Sequence, residues 1–424
     1  TPCGTLFPYT TLFRSVGGNS GVVTAAMKFN PTLPVFQNEE LGEYTLVNTP
    51  GIIYPNPVAT ADEQVRENKM VRLLGDIFAE WEIVPDLKAK ISFGTDLSNS
   101  KFDTYVPSNI YESGGVASAN ITGGYTTNWL NENTLQWNKR ISDNHSFSLL
   151  GGVTFQQNLY EAVTASSQDY VNDVLKENGI GAGAVYNQPS ASKTEWSILS
   201  YLGRINYNFS EKYLFSLNGR IDGSSRFGEN NKYAFFPSGS FAWRLIEEGF
   251  IKNLNLFSNM KVRTSYGLTG NQEIGLYNSL PTLGNTTYTI GRNLVTGFFP
   301  NKIPNPDLKW EKTAQFNIGL DLGFFENRLR LTSDYYNKKT TDLIYNVAVS
   351  YVSGFSNSLQ NIGSVQNQGI ELAIGGDILT SGSLKWAADF NISFNKNEVL
   401  ELGGEDYKDV GGGDRSEEHT SELQ

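Results

Sequence analysis

Between Leu87 and Ser98 the chain alternates strictly. Leu87, Ala89, Ile91, Phe93, Thr95 and Leu97 fall on one side of an extended backbone, with Lys88, Lys90, Ser92, Gly94, Asp96 and Ser98 on the other. A helix would scatter each set around its axis, whereas a strand separates them. The pattern returns where Leu384, Trp386, Ala388, Phe390, Ile392 and Phe394 oppose Lys385, Ala387, Asp389, Asn391, Ser393 and Asn395. It returns again where Ala314, Phe316, Ile318, Leu320 and Leu322 oppose Gln315, Asn317, Gly319 and Asp321. Followed along the chain, it predicts about twelve strands, near 71–84, 87–98, 125–141, 146–158, 195–209, 213–223, 236–245, 260–269, 310–324, 328–340, 361–376 and 384–396. Many reach ten residues or more. Globular strands average about 5–6 residues, and a tilted strand crossing a membrane needs about 9–11.

The connections sort themselves by length. Tight turns are expected at Pro85-Asp86, Asp143-Asn144-His145, Ser210-Glu211-Lys212, Glu326-Asn327 and around Asp377 to Ser383. Between them lie long links near 99–124, 159–194, 224–235, 270–309 and 341–360. Outer-membrane barrels alternate in this way, with short periplasmic turns and long extracellular loops. One exception is the link 246–259, a longer turn with helical character at Glu247 to Asn253. A soluble β-sandwich also alternates along its strands, but nothing in its physics sorts its loops by length. Aromatic residues gather beside the tight turns: Trp81, Tyr207, Phe209, Tyr213, Phe215, Phe324 and Phe325. Rings with a polar edge settle at the lipid–water boundary as a girdle; cross-strand ring packing, common to any sheet, explains the pairs but not their concentration at one rim. The fold expected is all-β: an antiparallel up-and-down transmembrane β-barrel, incomplete at about twelve strands.

Composition narrows the function classes. Of 424 residues, 18% are charged, below the roughly 25% of soluble domains. The net charge of −11 is spread along the chain, so nucleic acid, which needs basic patches, is not an expected partner. No run of about 18 apolar residues exists, which excludes a transmembrane helix. Cys3 is the single cysteine, and His145 and His419 are far apart in sequence. Neither a thiolate or zinc site nor a Ser-His-Asp triad can be assembled, so no enzyme activity, metal or cofactor is expected. Glu80 and Glu82 share a strand face without a catalytic partner, and the Asp/Asn/Gly clusters lack the EF-hand spacing.

The ends stand apart. Residues 1–15 have no charged and apolar signal-peptide regions. They resemble translated sequencing-adapter sequence, as does Asp414 to Gln424, and both 1–15 and 411–424 are read as adapter-derived. Residues 16–70 are read as an extracellular loop segment and 71–410 as the partial barrel.

Six stretches form an ordered series. They are Tyr201-Leu-Gly-Arg-Ile-Asn-Tyr-Asn-Phe-Ser-Glu-Lys-Tyr-Leu-Phe215, Gly219-Arg-Ile-Asp-Gly-Ser-Ser-Arg-Phe-Gly228 and Phe236-Pro-Ser-Gly-Ser-Phe-Ala-Trp-Arg244. Lys261-Val-Arg-Thr-Ser-Tyr-Gly-Leu-Thr-Gly-Asn-Gln272, Asn305-Pro-Asp-Leu-Lys-Trp-Glu311 and Asn361-Ile-Gly-Ser-Val-Gln-Asn-Gln-Gly-Ile-Glu371 follow. Each is weak alone; in this order and spacing they are specific, and the series resembles the SusC/RagA family of TonB-linked outer-membrane transporters. The resemblance covers roughly residues 17–410. It implies a barrel of about 22 strands around a plug, importing oligosaccharides or peptides with a SusD-like surface lipoprotein as lid and the TonB complex as energy source. Against that pattern, no signal peptide, TonB-contacting segment or plug is read in this chain, and only about half the strands. A passive porin or structural barrel without TonB coupling is the alternative.

Substrate contacts are sought at Arg204, Arg220, Asp222, Arg226, Tyr277 and Tyr288. Arg226 enters a loop and could bind a ligand carboxylate or hydroxyl; pairing with a nearby acid to order the loop is the weightier reading. Tyr277 and Tyr288, with Phe298 and Phe299, could stack on sugars or meet a lid, although anchoring the loop outweighs that. Arg204, Asn206, Arg220, Asp222, Arg263, Gln315, Asn317 and Asp321 are expected to line a polar lumen, where wall solvation and plug contact are the ordinary roles.

Overall fold

Twelve long strands run in chain order through one sheet in the computed structural model, which describes residues 10–11, 22–45, 47–49, 52–54, 56–110, 116–380 and 384–401. They are β1 (Val65–Val84), β2 (Leu87–Val106), β3 (Ser118–Ser142), β4 (His145–Gln168), β5 (Ser190–Phe209) and β6 (Tyr213–Ser224). β7 (Tyr233–Trp243), β8 (Phe257–Asn271), β9 (Glu311–Phe324), β10 (Leu329–Thr341), β11 (Ser364–Leu379) and β12 (Trp386–Glu401) complete them. Among the described residues the sheet is open: Thr10–Thr11 pairs beyond β1 at one end, and β12 ends the other. Apart from Thr10–Thr11, the segments read as adapter-derived, with Cys3 and His419, lie outside the described residues, as do 111–115 and 381–383 within two of the expected connections.

Several strands begin earlier or end later than the alternation marks. β1 starts at Val65 rather than 71, β2 continues to Val106, β3 starts at Ser118, β4 runs to Gln168 and β5 starts at Ser190. In these extensions residue type no longer sorts by face: Lys193 pairs with Glu161 at 2.8 Å, while Asp103, Tyr105 and Ser167 are buried. Backbone pairing goes on where the apolar–polar alternation has already stopped. The segment read as a loop up to residue 70 also holds helices α1 (Val22–Lys28) and α2 (Pro57–Glu63) and two short hairpins.

The chain divides into two compact units. The first comprises 1–80, 90–133 and 154–197. Here Asn56 caps α2, its side-chain oxygen accepting from the Val58 and Ala59 amides at 3.0 and 3.3 Å while its amide donates to the Val35 carbonyl at 2.8 Å. Tyr44, Ala59 and Ile110 form one small core, and Tyr105, Ala117 and Ala119 another, where the Tyr105 hydroxyl donates to Asp173. Phe93, Trp129 and Phe155 meet in a row across β2, β3 and β4, with centroids 5.9 and 5.0 Å apart.

The second unit, 81–89, 134–153 and 198–424, shows how the two faces are built. Its pairing is antiparallel throughout β5 to β12. One register row joins Thr264, Ile318, Tyr335, Ile370 and Phe394; another joins Val262, Leu320, Ser333, Leu372 and Ile392. The neighbouring row joins Asn206, Ser216, Ser240, Ser265, Asn317 and Tyr336. The period of two in each strand, held in register, gives one apolar and one polar face. Arg204, Asn206, Arg220, Asp222, Arg263, Gln315, Asn317 and Asp321 all fall on the polar one, as expected.

At the tight-turn end the apolar face carries two rows of rings. Phe147, Tyr207, Phe215 and Phe241 follow one another at 4.6, 6.1 and 4.8 Å, and His145, Phe209, Tyr213 and Trp243 at 5.0, 6.1 and 5.9 Å. His145 is thus a member of the girdle, its Nδ1 lying 2.8 Å from the Tyr207 hydroxyl. Below the rings, α3 (Gly249–Lys252) occupies the β7–β8 link, where helical character is expected. Glu248 ties it on: its carboxylate accepts from the Tyr213 hydroxyl at 2.8 Å, Trp243 Nε1 at 3.2 Å and Lys212 Nζ at 3.3 Å. The hydrogen bond from Tyr213, then that from Trp243, holds the Glu248 carboxyl below its ordinary 4.5.

Two outcomes follow. Ile318→Lys, on the apolar face midway along β9, is expected to lower stability in lipid vesicles by about 2–4 kcal/mol. Asn317→Lys, one residue away on the polar face, should cost about 1 kcal/mol, the loss of its hydrogen bonds. Denaturant unfolding of the full-length protein measures both. Because the Glu248 pKa is depressed on folding, its stabilisation is complete above about 4.5 and vanishes as pH falls through the lower folded value. The gap in urea midpoint between wild type and Glu248→Gln should therefore hold at pH 7 and shrink progressively below pH 4.5.

Candidate functional site

The polar face is charged but self-neutralising. Arg220 donates to Asp222 at 2.6 Å and to the Ser200 hydroxyl at 2.9 Å, and Asp222 is buried beside it. Arg263 reaches Asp321 at 3.1 and 3.2 Å and Asp334 at 2.8 Å, with Lys261 adding a contact to Asp321 at 2.9 Å. Arg204 stands exposed opposite Asn218. Small side chains (Ser146, Ser148, Ser216, Ser240, Ser265 and Gly319) open a recess of about 470 Å³ beside Arg263, Asn206 and Asn317. None of the six residues nominated as substrate contacts lines it. Such a wall offers many donors and acceptors along its length.

At the long-loop end, three links lock into one platform. Phe227, Phe236, Leu308 and Trp310 are buried together, with Leu268, Ile274, Ile344 and Leu359 against them. The Phe227 and Trp310 rings lie 4.7 Å apart. The Gly228 amide donates to the Leu308 carbonyl at 3.1 Å, and a Cβ on Gly228 would overlap the Pro306 carbonyl, so only glycine fits. Trp310 Nε1 donates to the Lys232 carbonyl at 3.1 Å. Asn361 completes the lock: its oxygen accepts from the Lys309 amide at 2.9 Å, and its amide donates to the Lys309 and Asp342 carbonyls at 2.7 and 2.9 Å. A second recess of about 650 Å³ lies among Asn231, Pro306, Asp307, Lys309, Ser358 and Gln360.

The nominated loop residues belong to this platform or stand on it. Arg226, 10% exposed, donates from Nη1 to the carbonyls of Gln272 and Ile274 at 3.4 and 3.2 Å and pairs with Glu273 at 3.3 Å. Tyr277 turns the chain in the left-handed region, at φ 61°. Tyr288 sits on a hairpin, Leu283–Ile290 paired with Asn293–Pro300, where its ring covers Gly297. The Arg220–Asp222 pair was not read from the sequence, and neither was the recess that Asn305, Asp307 and Asn361 line together. Their only signal was membership in the motifs quoted above. Among the described residues no group of three or more His, Cys, Asp or Glu is placed to hold a metal, and no helix is long and apolar enough to cross a membrane.

Residues 9–416 match the family model described as "TonB dependent receptor-like, beta-barrel". The TonB-dependent receptor P3 of Formosa agariphila is 37% identical over 389 residues, which are 91% of this chain and 38% of that protein. The TonB-dependent receptor SusC of Bacteroides thetaiotaomicron is 28% identical over 413 residues, 91% of this chain and 40% of that protein. A solved structure of the RagAB peptide transporter superposes with a TM-score of 0.77 at 28% identity, covering 84% of this chain and 40% of that one. The chain thus spans about two fifths of these relatives.

Trp310→Ala should unlock the platform, since removing a buried tryptophan costs about 3–5 kcal/mol. Limited proteolysis of the full-length protein is expected to cut within 272–310 and 342–363, while the strands stay resistant. If those loops remained uncut, the platform would not depend on this core.

Proposed function

Because the chain belongs to the TonB dependent receptor-like β-barrel family, we propose that it supplies wall and extracellular platform to an importer of oligosaccharides or peptides. It is an outer-membrane protein of the SusC/RagA type. In this reading the apolar face meets lipid and the polar face meets a water-filled, plug-bearing lumen. A SusD-like lipoprotein closes over the loop platform, and the TonB complex energises transport. The observation that carries the reading is the pairing of a polar wall with long loops rigidified by their own core. A passive pore needs no ordered rim of this kind, whereas a lid needs something firm to seat on. Similarity to a RagAB structure at 28% identity supports a peptide cargo, and similarity to SusC supports the wider class.

Within this proposal Arg204, Arg220 and Asp222 meet cargo along the wall. Arg226 shapes the loop that presents Tyr277 and Tyr288, and those two rings contact cargo or lid at the mouth.

The test is uptake by cells carrying the full-length gene. Accumulation of labelled oligosaccharide or peptide mixtures should fall at least tenfold when TonB is deleted or the proton gradient is collapsed. Deleting the partner lipoprotein should reduce it as well. Flux that persists at the wild-type rate without TonB would establish the porin reading instead.

A further inference from the structure

The tight turns at Asp86 and at Asp143-Asn144, at the periplasmic end, are polar or charged. The β7–β8 link differs. Phe250 is 60% exposed, Leu254 59% and Leu256 54%, all where water would otherwise lie. Phe250 lies on α3 and Leu254 two residues past its end, while Ile251 and Leu245 are buried. Three large apolar residues so exposed mark a contact surface.

The tether to Glu248 shows which way that surface faces. Its donors, Tyr213 and Trp243, are cross-strand neighbours on the apolar face, and their polar edges point to the start of α3. The link is therefore held beneath the outward, ring-bearing side of the wall. Leu256 leads directly into Phe257, whose ring meets Phe324 of β9 at 5.2 Å, and Phe325 at the next turn is 69% exposed. The exposed apolar residues thus continue the lipid-facing girdle.

We propose that this link is a lipid-docking element: Phe250, Leu254 and Leu256 insert among acyl chains at the periplasmic leaflet of the outer membrane. It works as an interfacial helix does, lying in the boundary plane with its apolar side down. Its charges cancel: Lys212 pairs with Glu248, and Arg244 and Lys252 with Glu247, at 3.3, 3.0 and 2.8 Å, while Arg244 also lies 3.9 Å from Glu211, so three cations meet three carboxylates. Docking is therefore apolar in origin and indifferent to anionic lipid. The element would fix the height of the wall in the bilayer at its longest periplasmic turn.

The inference rests on the lipid-facing reading of the apolar face, and the test separates the two. Single nitroxides go at Phe250→Cys and Leu254→Cys in the full-length transporter, other cysteines removed, in phosphatidylethanolamine vesicles with or without phosphatidylglycerol. Leu217→Cys on the apolar face and Asp143→Cys at a polar turn serve as references. Collisions with oxygen should exceed those with a water-soluble nickel chelate several-fold at 250 and 254, as at 217 and opposite to 143, in both lipid mixtures. Nickel collisions dominating at 250 and 254 while 217 stays oxygen-rich would overturn the docking alone. Low collision rates with both agents there would overturn it too, by showing that protein covers the link. A nickel-rich 217 would overturn the lipid-facing reading itself.

Discussion

Hydrocarbon offers no hydrogen bonds to a backbone, so a strand inside a membrane must find every partner in another strand. That demand accounts for the layout of this sheet. Each long strand between β1 and β12 pairs with the one before it and the one after it. Once the backbone is satisfied in this way, side chains are free to divide by face. Ile318, Ile370 and Phe394 share one register row, while Asn206, Ser240 and Asn317 share the next. The same demand makes the outer edge of β12 a site that needs a partner strand in lipid. In relatives of which this chain spans about two fifths, there is further chain to supply one.

Beyond the lipid the rules relax, and the long links become ordered by other means. Loops of such length would ordinarily be mobile, since few apolar contacts hold them. Here Phe227, Leu308 and Trp310 give three links a common core, and Asn361 and Arg226 satisfy the carbonyls that the irregular backbone leaves open. The wall below the rim is self-paired, with Arg263 shared between Asp321 and Asp334.

Much of the wall was legible because lipid and water press opposite demands on successive residues. Leu87 to Ser98 shows the strand plainly, whereas 99–106 does not, since Asp103 and Tyr105 are buried there while Phe102 is exposed, and burial no longer follows residue type. Register is likewise hidden: that Tyr207 meets Phe147 and Phe215 depends on turn geometry, not on any one strand's pattern. The platform was legible only as a string of family motifs. Gly219–Gly228 and Asn305–Glu311 lie some eighty residues apart, and only the fold reveals that Gly228 is glycine because Pro306 passes against it. Tyr288 was singled out as an exposed ring in a loop. The hairpin that carries it is not legible in the sequence, because Leu294 and Phe298 lie on one face and Val295 and Phe299 on the other, so no alternation marks the strand. Arg204, Arg220 and Asp222 were placed on the correct face for the same reason that the wall was readable.

Everything depends on the apolar face touching acyl chains while the polar face touches water. Single cysteines placed at each position from 314 to 322 of the full-length protein, in vesicles, report this directly through reaction with a charged thiol reagent. Slow labelling at 314, 316, 318, 320 and 322, alternating with fast labelling at 315, 317, 319 and 321, is the result predicted. Uniform labelling along that stretch, or a rhythm of three to four residues, would contradict it.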